Sequence, residues 1–182
     1  KAGNSYTLTA TATGATAATS APFNISIGTA TRFAFIVPPS GATAGQNLAP
    51  PVQVAAQDAG GNTVPTFAGP VTVAITAGSG TAGALLSGGA SVTVAVATSG
   101  VATFQGAQAL SIDKATANPY TLTASGALTS ATSAPFTITV GGLSQFAFTV
   151  PPTSTVAGAV INGTGGVQVT AQDAAGNTLT GF

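Results

Sequence analysis

Cysteine, histidine, methionine, tryptophan and glutamate are all missing from this 182-residue chain. Charge is almost missing too: Lys1, Arg32 and Lys114 stand against Asp58, Asp113 and Asp173, and the net charge is zero. Each absence excludes a chemistry. Without Cys or His there is no zinc site, no thiol nucleophile and no His-based triad, and without Glu no Glu-based acid/base pair. Ser and Thr are plentiful, but a hydroxyl nucleophile needs a base, and only Lys1 and Lys114 are on offer. Asp58 and Asp173 lie a full repeat apart, and Asp58 and Asp113 are expected at opposite ends of one domain, so no pair of glycosidase carboxylates is expected. The expectation is therefore no enzyme and no cofactor. Clustered Lys and Arg, which phosphate binding requires, are absent, so nucleic acid is not an expected partner. No run of about 18 uninterrupted apolar residues occurs, so no membrane span is expected in this window.

What the chain does have is apolar content, 45% of residues, enough for a core and too much for disorder. Ordinary domains carry about 25% charged residues, and this one carries 3%. That balance favours an extracellular or cell-surface location, with any export signal expected upstream of Lys1, since no charged-then-apolar leader opens the chain.

The chain repeats itself at long range. "YTLTATATGATAATSAPFNISIG" at 6–28 returns as "YTLTASGALTSATSAPFTITVG" at 120–141, "RFAFIVPP" at 32–39 as "QFAFTVPP" at 145–152, and "VQVAAQDAGGNTVPTF" at 52–67 as "VQVTAQDAAGNTLTGF" at 167–182. The offset is 113 to 115 positions throughout, a domain length rather than a solenoid period. Residues 29–141 then form one complete repeat, 1–28 the end of a preceding one and 142–182 the start of a following one. Joining 142–182 to 1–28 would still lack the counterpart of 68–113, so strand donation between copies does not close that unit; a window from a longer chain is the expectation.

Apolar positions alternate within the repeat, the period of half-buried strands. Phe33, Phe35 and Val37 share a face, as do Val71, Val73 and Ile75, and Val92, Val94 and Val96. Tyr120, Leu122 and Ala124 share another, as do Phe136, Ile138 and Val140, with Thr121, Thr123, Thr137 and Thr139 opposite. The nine Phe and two Tyr fall mostly on these core faces. Gly/Pro clusters punctuate the runs, and no helical pattern is long enough to insist on. About seven short strands at this spacing predict an antiparallel sandwich.

At "SIDKATANPYTLTA", Asp113 followed by Tyr120 at the head of an alternating strand resembles the tyrosine corner of immunoglobulin-like domains, with Tyr6 as its counterpart. With "FAFTVPP", "VQVTAQDAAGN" and "SAPFTIT", the whole chain resembles the bacterial immunoglobulin-like tandem repeats of long cell-surface and secreted proteins. The resemblance implies an all-β fold of tandem sandwiches, with 1–28 supplying strands F–G, 29–141 a complete domain and 142–182 strands A–C. It implies a stalk, spacer, adhesin shaft or filament, self-associating or docked on neighbouring repeats.

Placed in that topology, the loop Asp58 to Asn62 lies between strands B and C, where Asp, Gly and Asn serve a tight reversal. Head-to-tail repeats would bring Asp113 and Lys114 to face Asp173, and Lys1 to face Asp58 near Arg32, gathering all six charges at two junctions. A calcium ion shared by Asp113 and Asp173 is the metal alternative, although calcium wants six to eight oxygens. The rival functional reading is an adhesin that grips carbohydrate or a host protein through loops such as "AGSGTAGALLSGG" at 77–89. An accessory module to an unseen catalytic domain ranks third. Asn24-Ile25-Ser26 and Asn162-Gly163-Thr164 fit the N-glycan acceptor pattern, which chance also produces. The outward Thr rows would suit a flat partner such as a glycan, another sheet or ice.

Overall fold

The computed structural model describes residues 1–89, 91–95 and 99–181, the stretch 91–95 through its backbone alone. Among these the chain is all-β. Its strands are β1 (Gly3–Tyr6), β2 (Thr9–Ala10), β3 (Ala18–Thr19), β4 (Phe23–Ile25), β5 (Arg32–Val37), β6 (Ala42–Thr43), β7 (Val52–Gln57), β8 (Pro70–Ile75), β9 (Ser91–Ala95), β10 (Val101–Phe104), β11 (Leu122–Gly126), β12 (Ala131–Thr132), β13 (Ile138–Thr139), β14 (Gln145–Val150) and β15 (Gln168–Gln172). Two short 3-10 turns, Gly106–Gln108 and Gly163–Gly165, are the helical content of the described residues. No helix among the described residues is long and apolar enough to cross a membrane.

Between residues 30 and 140 two sheets enclose one core. The first has the order β10-β7-β5 and the second β12-β11-β8-β9. Both are antiparallel, with Phe35 and Ala102 opposite Val54 in one and Ala124 and Val92 opposite Val73 in the other. Alternation sends Phe33, Val52, Val54 and Phe104 from the first sheet, and Val71, Val73, Leu122 and Ala124 from the second, into the same cluster. Leu86, Leu110, Ile112 and Tyr120 fill it further, all at most 1% exposed. Complete burial of an aliphatic side chain contributes about 1.5–3 kcal/mol, so this cluster dominates the stability of the fold.

The chain leaves the first sheet near the start of the unit and enters a separate two-stranded pairing. The β5–β7 register shifts between Phe35 and Val37, and Pro38 and Pro39, which lack an N–H, stop the strand. Chain direction then changes so that β6 pairs in parallel with β13, Ala42 opposite Ile138. On the other side Phe33 N donates to Thr129 O (2.9 Å) and Thr129 N to Thr31 O (3.1 Å), tying β5 to the loop before β12.

The flanking segments repeat parts of this pattern without its second layer. β1 pairs with β4, β2 with β3, and β14 with β15. Their apolar positions are the counterparts of core residues but stand in solvent. Phe146 is 61% exposed where Phe33 is 2%, Leu8 67% where Leu122 is 0%, and Val169 52% where Val54 is 0%. The expectation that aromatics mostly occupy core faces thus holds for Phe33, Phe104, Tyr120 and Phe136 and fails for Tyr6, Phe23, Phe146 and Phe148, because a strand's apolar face is buried only where an opposing sheet exists. Val140, expected to face inward with Phe136 and Ile138, is 39% exposed because it lies past the end of β13. The expected face of Val92, Val94 and Val96 and the equivalence of Phe182 to Phe67 lie outside what is described.

Candidate functional site: two Asp/Asn loops that grip neighbouring backbone

Asp58 follows β7 directly. Gly61 N donates to its carbonyl (3.0 Å) and its own N–H donates to Asn62 O (3.0 Å), closing a reversal that needs Gly61 at φ +74°. In that turn the carboxylate collects N–H groups. Oδ1 accepts from Asn62 N (2.8 Å) and Asn62 Nδ2 (3.0 Å), and Oδ2 accepts from Asn62 Nδ2 (2.9 Å). One donor comes from outside the loop: Gly28 N, at 2.9 Å from Oδ2. Asn62 reaches outward as well, its Oδ1 accepting from Ala2 N at 2.9 Å.

The second loop reproduces the first. Gly176, at φ +83°, occupies the turn position, and Asp173 N bonds Asn177 O at 3.0 Å. Asp173 Oδ1 accepts from Ala175 N (2.9 Å), Asn177 N (2.8 Å) and Asn177 Nδ2 (3.1 Å), and Oδ2 from Asn177 Nδ2 (3.0 Å). The outside donor to Oδ2 is Gly141 N at 2.9 Å, the counterpart of Gly28. Asn177 Oδ1 accepts from Ala115 N at 2.8 Å, the counterpart of Ala2, and Asn177 Nδ2 also donates to Asp113 O at 2.9 Å. Ala175 packs against the core cluster of the 30–140 unit.

The two tyrosines support the backbone that these loops grip. Tyr120 OH donates to Lys114 O (2.9 Å) and Tyr6 OH to Lys1 O (3.1 Å). Lys114 precedes Ala115 and Lys1 precedes Ala2, so each tyrosine fixes the turn whose next N–H enters an asparagine. Tyr120 itself lies over Gly80, where a Cβ would come within 2.0 Å of the ring; only glycine fits beneath it.

The charges are arranged differently from the sequence expectation. Asp113 does meet the 173–177 loop, but through its backbone carbonyl, while its carboxylate turns back to Leu85 N (2.7 Å); Lys114 Nζ reaches Ala82 O (3.5 Å) and Lys114 O takes the Tyr120 hydroxyl. Lys1 Nζ donates to Gly61 O rather than to Asp58, and the Arg32 guanidinium lies beside Gly61. Energetics explains the preference. An exposed ion pair contributes about 0.2–1 kcal/mol, whereas each neutral hydrogen bond contributes about 0.5–1.5 kcal/mol and one to a charged group about 1.5–3 kcal/mol.

The Asn62 side-chain amide, then the Asn62 and Gly28 N–H groups, hold the Asp58 carboxyl down at about 2, against the opposing push of burial. At Asp173 burial is the largest influence and pushes upward, yet the N–H donors of Gly141, Asn177 and Ala175 together outweigh it and leave the carboxyl below its ordinary value. Both are anions filled by N–H donors. A carboxylate offers about four lone-pair sites, and Asp173 accepts from four donors, the N–H groups of Gly141, Ala175 and Asn177 and the Asn177 side-chain amide, so a calcium shared with Asp113, whose own carboxylate bonds Leu85 N, would have to displace them. Among the described residues no three Asp, Glu, His or Cys gather.

Sequence reasoning placed Asp58 and Asp173 in these loops but overlooked Asn62 and Asn177 as the bridging residues and Ala2, Gly28, Ala115 and Gly141 as their donors. The signal was available: "KA" at 1–2 and 114–115, and the glycines at 28 and 141, recur at an offset of 113, within two positions of the 115 that separates the loops. No protein-family model matches the chain, and no match was found among curated proteins or solved structures.

Proposed function

We propose that this chain is a structural, non-enzymatic extracellular repeat protein, made of tandem immunoglobulin-like sandwiches that form a surface filament, stalk or fibre. Strand order supports the domain type: β5, β7 and β10 take the places of strands A, B and E, and β8, β11 and β12 those of C, F and G. The observation that carries the reading is the repeated grip. The same Asp/Asn loop takes the same two backbone N–H groups from the segment before it at both positions. A geometry restated at domain spacing is what an end-to-end array needs, and a surface with six charges in 182 residues offers little repulsion to lateral packing.

The adhesin reading has one observation in its favour, an open cleft of about 430 Å³ lined by Ile75 to Leu85 in the loop region singled out for it. Phe146 and Phe148 do not add to that case, since their counterparts Phe33 and Phe35 pack in or against the core. Electron micrographs of the purified protein separate the two: uniform fibres are expected, and isolated beaded strings that bind glycan or a host protein would replace the filament by the adhesin.

A further inference from the structure

We infer that the Asp173–Asn177 loop, and with it Asp58–Asn62, is a metal-free latch that recognises the bare backbone of the preceding unit and sets the angle between units. This inference rests on the tandem reading above. The partner of the loop is a peptide surface of stated chemistry. It comprises the N–H of the residue after a tyrosine-anchored lysine, Ala115 or Ala2, and the N–H of the glycine two or three residues beyond the last strand, Gly141 or Gly28. These donors are backbone groups, so the latch demands conformation rather than side chains. That conformation is prepared by Tyr120 on Lys114 O and by the parallel pairing of β13 with β6.

Two further contacts make the arrangement directional. Asn177 uses its Oδ1 on Ala115 N and its Nδ2 on Asp113 O, so that both ends of one amide are committed to the residues on either side of Lys114 in the same turn. Ala175 closes the open end of the core, and its Cβ lies 3.7 Å from where a side chain at Gly45 would begin. Rotation of one unit on the other would break the amide pair and expose Ala175 together. With the Asp173 lone pairs filled from the protein itself, neither calcium nor an ion pair contributes to the setting.

The absence of native cysteine allows two spin labels to be placed cleanly, at Ala107→Cys and Val169→Cys, on either side of the latch. The unmodified latch is expected to give a narrow distance distribution that neither calcium nor chelator alters. Asn177→Ala is expected at least to double its width and to lower the exchange protection of the Ala115 amide at least tenfold, while the Leu122 and Val73 amides keep theirs. Ala115→Pro, which deletes the donor and leaves the 173–177 loop intact, must produce the same broadening. A distribution unchanged in both variants overturns the latch, and narrowing on addition of calcium overturns its metal-free character. Fibres are scored separately by microscopy: their absence beside a narrow distribution removes the filament reading and leaves the latch standing.

Discussion

A carboxylate in a five-residue loop accepts whatever N–H groups the backbone turns toward it, and at Asp58 those include one from thirty residues earlier in the chain. The consequence is measurable by pH. Because the folded state holds Asp58 at about 2 against an ordinary 3.8, ionised Asp58 stabilises the fold fully above the ordinary value, and that contribution is lost as pH falls from 3.8 through about 2. Asp173, also lowered, acts in the same direction. The thermal midpoint is therefore expected to be level above roughly pH 5 and to drop through this acid window. Asp58→Asn, whose amide would face the Asn62 and Gly28 donors, is expected to lower the midpoint at neutral pH and to flatten part of the acid slope. A midpoint insensitive to pH between 5 and 2 would contradict the assignment. At this scale the turn itself was legible, since an Asp and an Asn flanking a glycine that can take positive φ, as Gly61 and Gly176 do, form a local code. The grip was not, because Gly28 and Gly141 are identified as donors only by where they lie in space.

The pentapeptide "YTLTA" occurs twice, and its two copies make different elements. At 120–124 it leads into β11, paired with β8 on one side and β12 on the other, and Leu122 is 0% exposed. At 6–10 it runs from the end of β1 into β2, which pairs with β3, and Leu8 is 67% exposed. The same substitution must then have two outcomes. Leu122→Ala is expected to destabilise by about 2–5 kcal/mol, as buried leucine truncations do. Leu8→Ala should stay within about 0.5 kcal/mol, as surface changes do. Denaturant midpoints of the two variants measure the difference, and equal losses would mean that the 1–28 segment has a core of its own. The alternation that marks both copies as strands is a backbone period and is visible in the sequence. What lies opposite each strand is not.

At the scale of the whole molecule, the core cluster draws its buried members from residues 33 to 138, and among the described residues Ala175 packs against it from beyond Gly141. The outer strand pairs hold mainly by ladder bonds, and most of their large apolar side chains, such as Leu8, Phe146, Phe148 and Val169, stand in solvent. Local opening free energy tracks such burial, so amides of β5, β7, β8 and β11 are expected to exchange slowest, and those of β1–β4 and β14–β15 faster by on the order of a hundredfold or more. Hydrogen exchange read by fragment checks this, and uniform protection along the chain would show that the outer hairpins find a second layer in solution. Low charge and zero net charge act at this scale too, through solubility and association rather than through fold.

Residue order alone determined that the chain is built of strands, that its pattern recurs at domain spacing, and that histidine, cysteine and glutamate chemistry is closed to it; these follow from composition and period, which survive in one dimension. Tertiary structure decided which copy of each repeated motif is buried, that the aspartates bind N–H groups instead of lysines, and that Asn62 and Asn177 form the bridges. The reason is physical: burial and hydrogen-bond partnership belong to groups brought together from remote parts of the chain, and the identity of a residue does not state its neighbours.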